Sequence, residues 1–351
     1  MTITRFLATT AYIIASLVLM GCQQKPTVIE TRDSILAFGT FVEVTLVNVD
    51  RADRDLVIAN IEKELEYHHY AFHPWKSGPT GRTNQLLAVT GEFTSNPSLV
   101  PLIEKSKQYS IQSKGLFNPA IGQLIKLWGY HDEFPPEDGP IPDDEDIQAL
   151  LDKKPSMESI TVKGVRVHNS NPANKLDFGG IAKGYSVDLI LEHIQQMGVN
   201  HAIINTGGDL KVIGQRGDKP WHIGIRDPRG RGVIASLDVQ HNEAVFTSGD
   251  YERFFKLEGK RYHHILDPRT GKPARNSQSV TVVHTDAALA DAAATALFVA
   301  GPAEWLAIAK SMDIQQAMLI DRNGKIHITK ALAKRIKFEK PELEVSIVNP
   351  H

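Results

Sequence analysis

Apolar and polar residues alternate from 40 to 49, with Val42, Val44 and Leu46 on one side, and this period of two predicts a half-buried strand. The period then changes. Ile58, Ile61 and Leu65 recur at helical spacing, and Leu99, Leu102 and Ile103 carry a second expected helix over 98–113. Between 131 and 146 the pattern gives way to four prolines and eight acidic residues, a solvated loop and a natural boundary between two lobes. Short strands and turn signals follow at 160–167, 202–205, 222–225, 233–239, 244–247 and 280–284. Helices are expected at 181–197, 286–300 and 302–310. Mixed strands with only a few long helices predict an α+β fold rather than a regular βαβ repeat.

The N-terminus follows a different rule. Arg5 supplies a short positive region, and residues 6–20 form an apolar run with almost no polar interruption. A transmembrane helix needs about 20 apolar residues, so this shorter run reads as a signal peptide over 1–21. It ends in Leu19-Met20-Gly21-Cys22, where small Gly21 before Cys22 resembles the lipobox of bacterial lipoproteins, with Cys22 acylated and first in the mature chain. Cys22 is the only cysteine, which excludes intramolecular disulfides and cysteine-based zinc clusters. Residues 22–33 are polar and unpatterned, and read as a tether. The expected location is the cell envelope, lipid-anchored to the membrane and facing the periplasm.

Composition changes the picture little. The 351 residues suffice for one large two-lobed domain or two ordinary ones. Hydrophobic residues at 42% and charged ones at 23% are ordinary for a soluble globular protein. A net charge of -2 argues against nucleic acid as a partner. The main domain is expected over 34–340, with 341–351 as a C-terminal tail.

Candidate chemistry sits in four glycine-punctuated segments. In Leu176-Asp177-Phe178-Gly179-Gly180-Ile181-Ala182-Lys183-Gly184-Tyr185, two glycines between an expected strand and a helix permit close backbone approach, and the helix N-terminus offers N–H groups to a phosphate. Tyr185 stands where a P-loop has lysine, and a plain strand–turn–helix fits the pattern equally well. Asn205-Thr206-Gly207-Gly208-Asp209-Leu210 is a tight turn after a strand and reads equally as a hairpin. The third segment joins Thr247-Ser248-Gly249-Asp250-Tyr251 to a charged run, Arg261-Tyr262-His263-His264-Ile265-Leu266-Asp267, around a later Pro–Gly turn. Its histidine pair is a general-base candidate, or part of a charged surface turn. In the fourth, Asp291 and Thr295 are four apart and share a helix face among alanines, which are expected to leave room for a ligand. A carboxylate and a hydroxyl suit magnesium or calcium rather than zinc; a helix-start Asp with a Thr bonding back to the main chain gives the same pattern.

Taken together these segments resemble the ApbE family of FAD:protein FMN transferases. The resemblance runs from about residue 36 to 301 and is most specific in GGIAKGYSVD, NTGGDL, TSGDYERFF with GKRYHHILDPRTGKP, and ADAAATALFVAG. Phe117-Asn118-Pro119 with Leu127-Trp128-Gly129-Tyr130 also matches the family's FDP…LWG region. The resemblance implies a two-lobed mixed-sheet domain with flanking helices and an FAD site between the lobes. It implies FAD contacts at Phe38, Trp75, Leu116, Phe117, Asn118, Asp177, Lys183 and Leu266. It implies Mg2+ at Asp291, Thr295 and the main-chain carbonyl of about Gly180, and a catalytic histidine at His264. Phe38 departs from the family's usual Met, and Asn118 from its common Asp.

The implied reaction moves the FMN moiety of FAD onto a Ser or Thr hydroxyl of an exported or membrane flavoprotein, such as a subunit of an Rnf-type or sodium-pumping NADH:quinone oxidoreductase, and releases AMP. Two other functions keep the same pocket. An FAD pyrophosphatase would let water attack, and a non-catalytic periplasmic flavin-binding lipoprotein would dispense with metal and base.

Overall fold

The computed structural model describes residues 28–349, except residue 90, residues 133–138 and residue 140. The expected signal peptide, Cys22 and the tether as far as residue 27 lie outside the described residues, as does much of the expected lobe boundary.

β1 (Glu30–Ala37) and β2 (Thr40–Val47) form an antiparallel hairpin. β1 therefore takes up residues 30–33, which the sequence pattern assigns to the tether. Its Glu30, Arg32 and Asp33 give it the polar look of a linker because it is an edge strand, where charges are common. Next come helices α1 (Arg51–Phe72), α2 (Pro79–Leu87), α3 (Val100–Gln112) and α4 (Ala182–Gln196). The expected helices at 98–113 and 181–197 are thus present within two residues.

The sheet continues through β3 (Ala202–Thr206), β4 (Asp209–Ile213) and β5 (Ala244–Gly249). Two small hairpins leave it: β6 (Phe254–Leu257) with β7 (Lys260–His263), and β8 (Leu266–Asp267) with β9 (Lys272–Pro273). β10 (Ser277–His284), helix α5 (Ala287–Ser311), β11 (Gln316–Asp321), β12 (Ile326–Thr329) and β13 (Val345–Val348) complete the described elements used here. The main sheet runs β1-β2-β3-β4-β5-β10-β11-β12-β13, antiparallel throughout except for the parallel pair β12–β13. With helices set against this mixed sheet, the fold is α+β, as the pattern predicts.

Period-two alternation explains how the sheet is covered on both faces. Phe246, Val280 and Val282 belong to the core under α3 and α5, whereas their neighbours Val245 and Val283 pack with Trp221, Leu237 and Met318 on the other face. There a three-stranded sheet of Trp221–Arg226, Val233–Val239 and Lys337–Phe338 lies over them. α1 presents Val57, Ile61 and Leu65 to the β1–β3 end of the sheet, where α4 adds Ile190 and Ile194.

α5 is long and apolar enough to cross a membrane, but 67% of its most apolar window is buried inside the fold, so it is a core helix. Gly301 (φ 63) followed by Pro302 breaks it where two helices are expected. Its alanines leave no open space. Ala290, Ala292, Ala293, Ala294 and Ala296 are fully buried, and their small side chains let the helix lie close against β5 and β10. The expectation of room around Asp291 is corrected accordingly.

His68 on α1 illustrates what burial does to an imidazole here. It stacks on Phe72 with ring centres 5.2 Å apart, and its Nδ1 has no partner. Burial lowers its pKa from 6.5 to about 4. The folded state thus binds fewer protons than the unfolded state between those values, and stability falls as pH drops through that window. His68→Phe removes this loss, so its melting temperature relative to the unmodified protein should rise as pH falls from about 7 to about 5. Equal shifts at both pH values would show that His68 is not held neutral.

Candidate active site

The glycine-punctuated segments meet at one end of the main sheet. Gly207 and Gly208, at φ 73 and 111, make the two-residue turn between β3 and β4, so the hairpin reading holds. A Cβ on Gly207 would lie 2.6 Å from Thr40 Oγ1, which sets this turn beside the β1–β2 turn. Phe38 sits in that second turn at φ 52, its N–H donating to His69 Nδ1 at 3.2 Å. Asp209 then points inward. It is buried, pairs with Lys183, and accepts the Thr247 N–H at 2.8 Å.

No strand precedes the Gly179-Gly180 turn, contrary to expectation. Residues 175–177 are extended, but only an isolated bridge joins Lys175 to Ile121. The backbone is satisfied from elsewhere: Asn84 takes the Leu176 N–H at 2.7 Å and donates to its carbonyl at 2.9 Å, and the Asp177 N–H reaches Pro119 O at 2.8 Å. Of the two readings of this helix start, the plain turn accounts for most of its N–H groups. The N–H groups of Ile181, Ala182 and Tyr185 serve main-chain carbonyls, and that of Gly184 serves Asp291 Oδ2 at 3.1 Å. The glycines answer to packing. A Cβ on Gly184 would lie 2.2 Å from Ala287 O, and one on Gly180 would lie 2.9 Å from Thr295 Oγ1.

Gly180, Asp291 and Thr295 are therefore brought together, with Ser248 Oγ 3.3 Å from Thr295 Oγ1. Asp291 is not surface-facing, as the alanine-rich helix suggests, but 5% exposed. Burial raises its carboxyl above the ordinary range, and Lys183 only partly offsets this because Asp209 and Glu252 share that one cation. Glu252 is raised for the same reason; it keeps accessible surface while protein surrounds it on most sides, as on the wall of a deep cleft. For Lys183 itself burial acts downward, but Asp209, Glu252 and Asp291 outweigh it and hold the ammonium charged. Arg226 and Arg253 also act on Glu252, so the buried Asp291 is the carboxyl left to share Lys183 with Asp209. Among the described residues no three His, Asp or Glu side chains are grouped to hold a metal. A cation here would draw on Asp291, the Thr295 hydroxyl, the Gly180 carbonyl and a ligand's own oxygens. Those hard oxygen donors and that partly offset carboxyl fit Mg2+.

The two adjacent histidines differ in what their nitrogens already do. His263 is buried, its Nε2 lies 2.6 Å from Ala274 O and its Nδ1 accepts the Ile265 N–H at 3.3 Å. Both nitrogens are occupied. His264 Nδ1 lies 3.2 Å from Arg253 O. A carbonyl only accepts, so the proton is assigned to Nδ1 and Nε2 presents its lone pair. Burial, then Arg253, lowers the His264 pKa to about 3, which keeps the ring neutral. The two rings meet different neighbours where β7 ends at His263: His263 meets Phe298, and His264, just past the strand, meets Tyr130. A two-residue turn, Glu258-Gly259 at φ 50 and 73, fixes the strand's register by pairing Leu257 with Lys260.

The remaining predicted residues are spread around this centre. Trp75 lies between α1 and α2, with Lys175 Nζ 4.5 Å from its ring centre and its side chain hydrogen-bonded to Asp177. Burial raises the Asp177 carboxyl, against lowering by the Gly179 N–H, Arg253 and Trp75. Phe117 is buried beside Gly180, and Leu116 is buried in the same core. Asn118 spends its amide on main-chain groups, donating to Pro155 O at 2.9 Å and accepting the Ala120 N–H at 3.1 Å. Leu266 packs with Trp128, Tyr130, Phe255 and Tyr262. Sequence reasoning gave no role to Asp209, Ser248, Glu252 or Arg253. All four stand inside quoted motifs, NTGGDL and TSGDYERFF, so the signal was present. Arg253 holds His264 Nδ1 with its backbone carbonyl, a role no residue type reveals, while its guanidinium reaches Tyr130 O and Asp132 O.

Residues 38–319 match the sequence model of the ApbE family. The chain belongs to the ApbE family. Among its relatives, a Rhodobacter capsulatus protein named FAD:protein FMN transferase is 36% identical over 88% of this chain, which spans 58% of that longer protein. One of the same name from Klebsiella pneumoniae is 35% identical over 68% of this chain and 72% of its own length. The ApbE protein of Thermotoga maritima, a crystal structure, superposes with a TM-score of 0.79 at 30% identity, covering 90% of this chain and all of its own. The flavin transferase ApbE of Vibrio cholerae superposes at 0.77 with 25% identity, covering 88% and 99%. The ApbE match extends past residue 301, where the motif resemblance ends, and into β11.

Proposed function

We propose that this protein transfers the FMN moiety of FAD to a serine or threonine hydroxyl of an acceptor protein, with release of AMP and with magnesium at Asp291, Thr295 and the Gly180 carbonyl. Relatives bearing the name FAD:protein FMN transferase support the reaction class. The observation that carries it is the buried Asp291 carboxyl, only partly offset by Lys183 and set beside Thr295 and Gly180, near a histidine whose Nε2 presents its lone pair.

When bound, magnesium would offset the pyrophosphate charge and favour departure of AMP. The chain's own residues supply the rest. His264 Nε2 accepts the proton of the acceptor hydroxyl as its oxygen bonds to the FMN phosphorus and the bond to the AMP phosphate breaks. Lys183, held charged by Asp209, offers N–H donors to phosphate oxygens. Phe38 and Trp75 offer aromatic surface to the ring systems, with Leu116, Phe117, Asn118, Asp177 and Leu266 shaping the walls. Subunits of Rnf-type or sodium-pumping NADH:quinone oxidoreductases are the acceptors proposed.

The test is to incubate the soluble chain with FAD, Mg2+ and such a subunit, and to weigh the acceptor. It should gain one FMN per reactive hydroxyl, with AMP appearing in equal amount. Free FMN beside an unmodified acceptor would mean that water is the nucleophile and the protein a pyrophosphatase.

The proposed location is the cell envelope, with Cys22 lipidated. Cys22→Ser should then be exported but recovered in the soluble fraction after a high-salt wash. A mutant that still sediments with membranes would exclude the anchor.

A further inference from the structure

His263 faces away from the proposed transfer chemistry, and behind it lies a cavity of about 130 Å³. Four arginines line it: Arg229, Arg261, Arg275 and Arg322. Asp250 is the one carboxylate among its described lining residues, and it is buried and already engaged. Arg229 grips it with both guanidinium nitrogens, at 2.7 and 2.6 Å, and Arg261 Nη1 reaches the same Oδ1 at 3.0 Å. Four guanidiniums against one carboxylate leave three positive charges. His263 adds none, because burial lowers its pKa to about 4.

Three of the guanidiniums, those of Arg229, Arg261 and Arg275, are held rather than loose. Arg261 lies over the Phe254 ring at 4.3 Å, and Arg275 lies over Tyr262 at 4.8 Å while donating to Arg261 O at 2.6 Å. Placing like charges together is unfavourable unless an anion comes between them, and preset planar forks lose little entropy when an oxyanion arrives. The volume falls well below the several hundred Å³ of a nucleotide-sized pocket. It admits a single tetrahedral oxyanion.

We propose that this cavity binds one phosphate-class dianion, either free phosphate or the phosphate end of a small phosphomonoester, at a site separate from the FAD site. Arginine clusters favour such anions because paired N–H donors match two oxygens at once. The site is not remote in its consequences. Asp250 stands between Ser248, which touches Thr295, and Glu252, which faces Lys183, so an anion that fixes Arg229 and Arg261 also fixes this segment.

Isothermal titration of the FAD- and Mg2+-saturated protein tests this, since saturation keeps the flavin site from taking up the probe. Inorganic phosphate and glycerol phosphate are titrated in turn at matched ionic strength, with chloride as the control. At least one should bind saturably with one equivalent, and the tighter of the two identifies the source. Arg275→Gln and Arg322→Gln alter exposed side chains, and each should weaken binding by about tenfold or more while FAD affinity is unchanged. Absence of saturable binding by either anion, or equal affinity in both variants, overturns the proposal.

Discussion

Asp291→Asn should abolish FMN transfer while raising the melting temperature of the metal-free protein at about pH 8. Asn preserves an oxygen for the Gly184 N–H that Asp291 now accepts at 3.1 Å, so the contact between α4 and α5 survives. What it removes is a buried charge. The folded-state pKa of Asp291 is raised above its unfolded value. The folded protein therefore binds that proton over a range where the unfolded chain does not, and this contribution is lost as pH rises through the folded pKa. Above that point the ionised carboxyl is a liability which only a cation relieves. Magnesium should accordingly raise the melting temperature of the unmodified protein and leave that of Asp291→Asn unchanged. Calorimetry with and without Mg2+ decides the matter: equal responses would take Asp291 out of the metal site. Asp291→Ala should be worse for folding than Asp291→Asn, because it strands the Gly184 N–H as well.

His264→Ala should bind FAD nearly normally and transfer FMN more slowly by a factor on the order of 100 to 10,000, the usual consequence of losing a general base. His263→Ala should fail differently. It strands Ala274 O and the Ile265 N–H and opens a gap beside Phe298, a loss of about 2–4 kcal/mol in stability, with transfer only mildly affected. FAD titration and single-turnover transfer on both variants separate the cases. If FAD affinity falls together with rate in His264→Ala, the ring binds ligand instead of moving a proton. Full transfer in His264→Ala and its loss in His263→Ala would mean that the chemistry belongs to the other ring.

Much of this was legible in the sequence where an element packs on one side. Val42, Val44 and Leu46 alternate because β2 has a buried face, and Ile61 and Leu65 recur at helical spacing because α1 covers it. The class of fold followed from the pattern, and the meeting of Gly180 with Asp291 and Thr295 from the family resemblance. Asp291's burial did not. α5 is enclosed on nearly every side, so its sequence has no polar face from which to read orientation. The extended backbone at 175–177 was mistaken for a strand because its partner is an asparagine side chain 92 positions earlier, a pairing no local pattern contains. Lys183 with Asp209, and Asn118 with Pro155, likewise join residues whose spacing in the chain says nothing of their distance in space.

The Glu258-Gly259 turn has a consequence for how this site can change over generations. Side chains beyond it are dealt alternately to the cleft and to the arginine-lined side, as a reading frame deals codons. A one-residue shift of this register would turn Arg261 and His263 to the opposite face. Substitutions at 258 that keep a left-handed backbone are cheap, whereas single-residue length changes are not. This turn should therefore drift in composition and stay fixed in length.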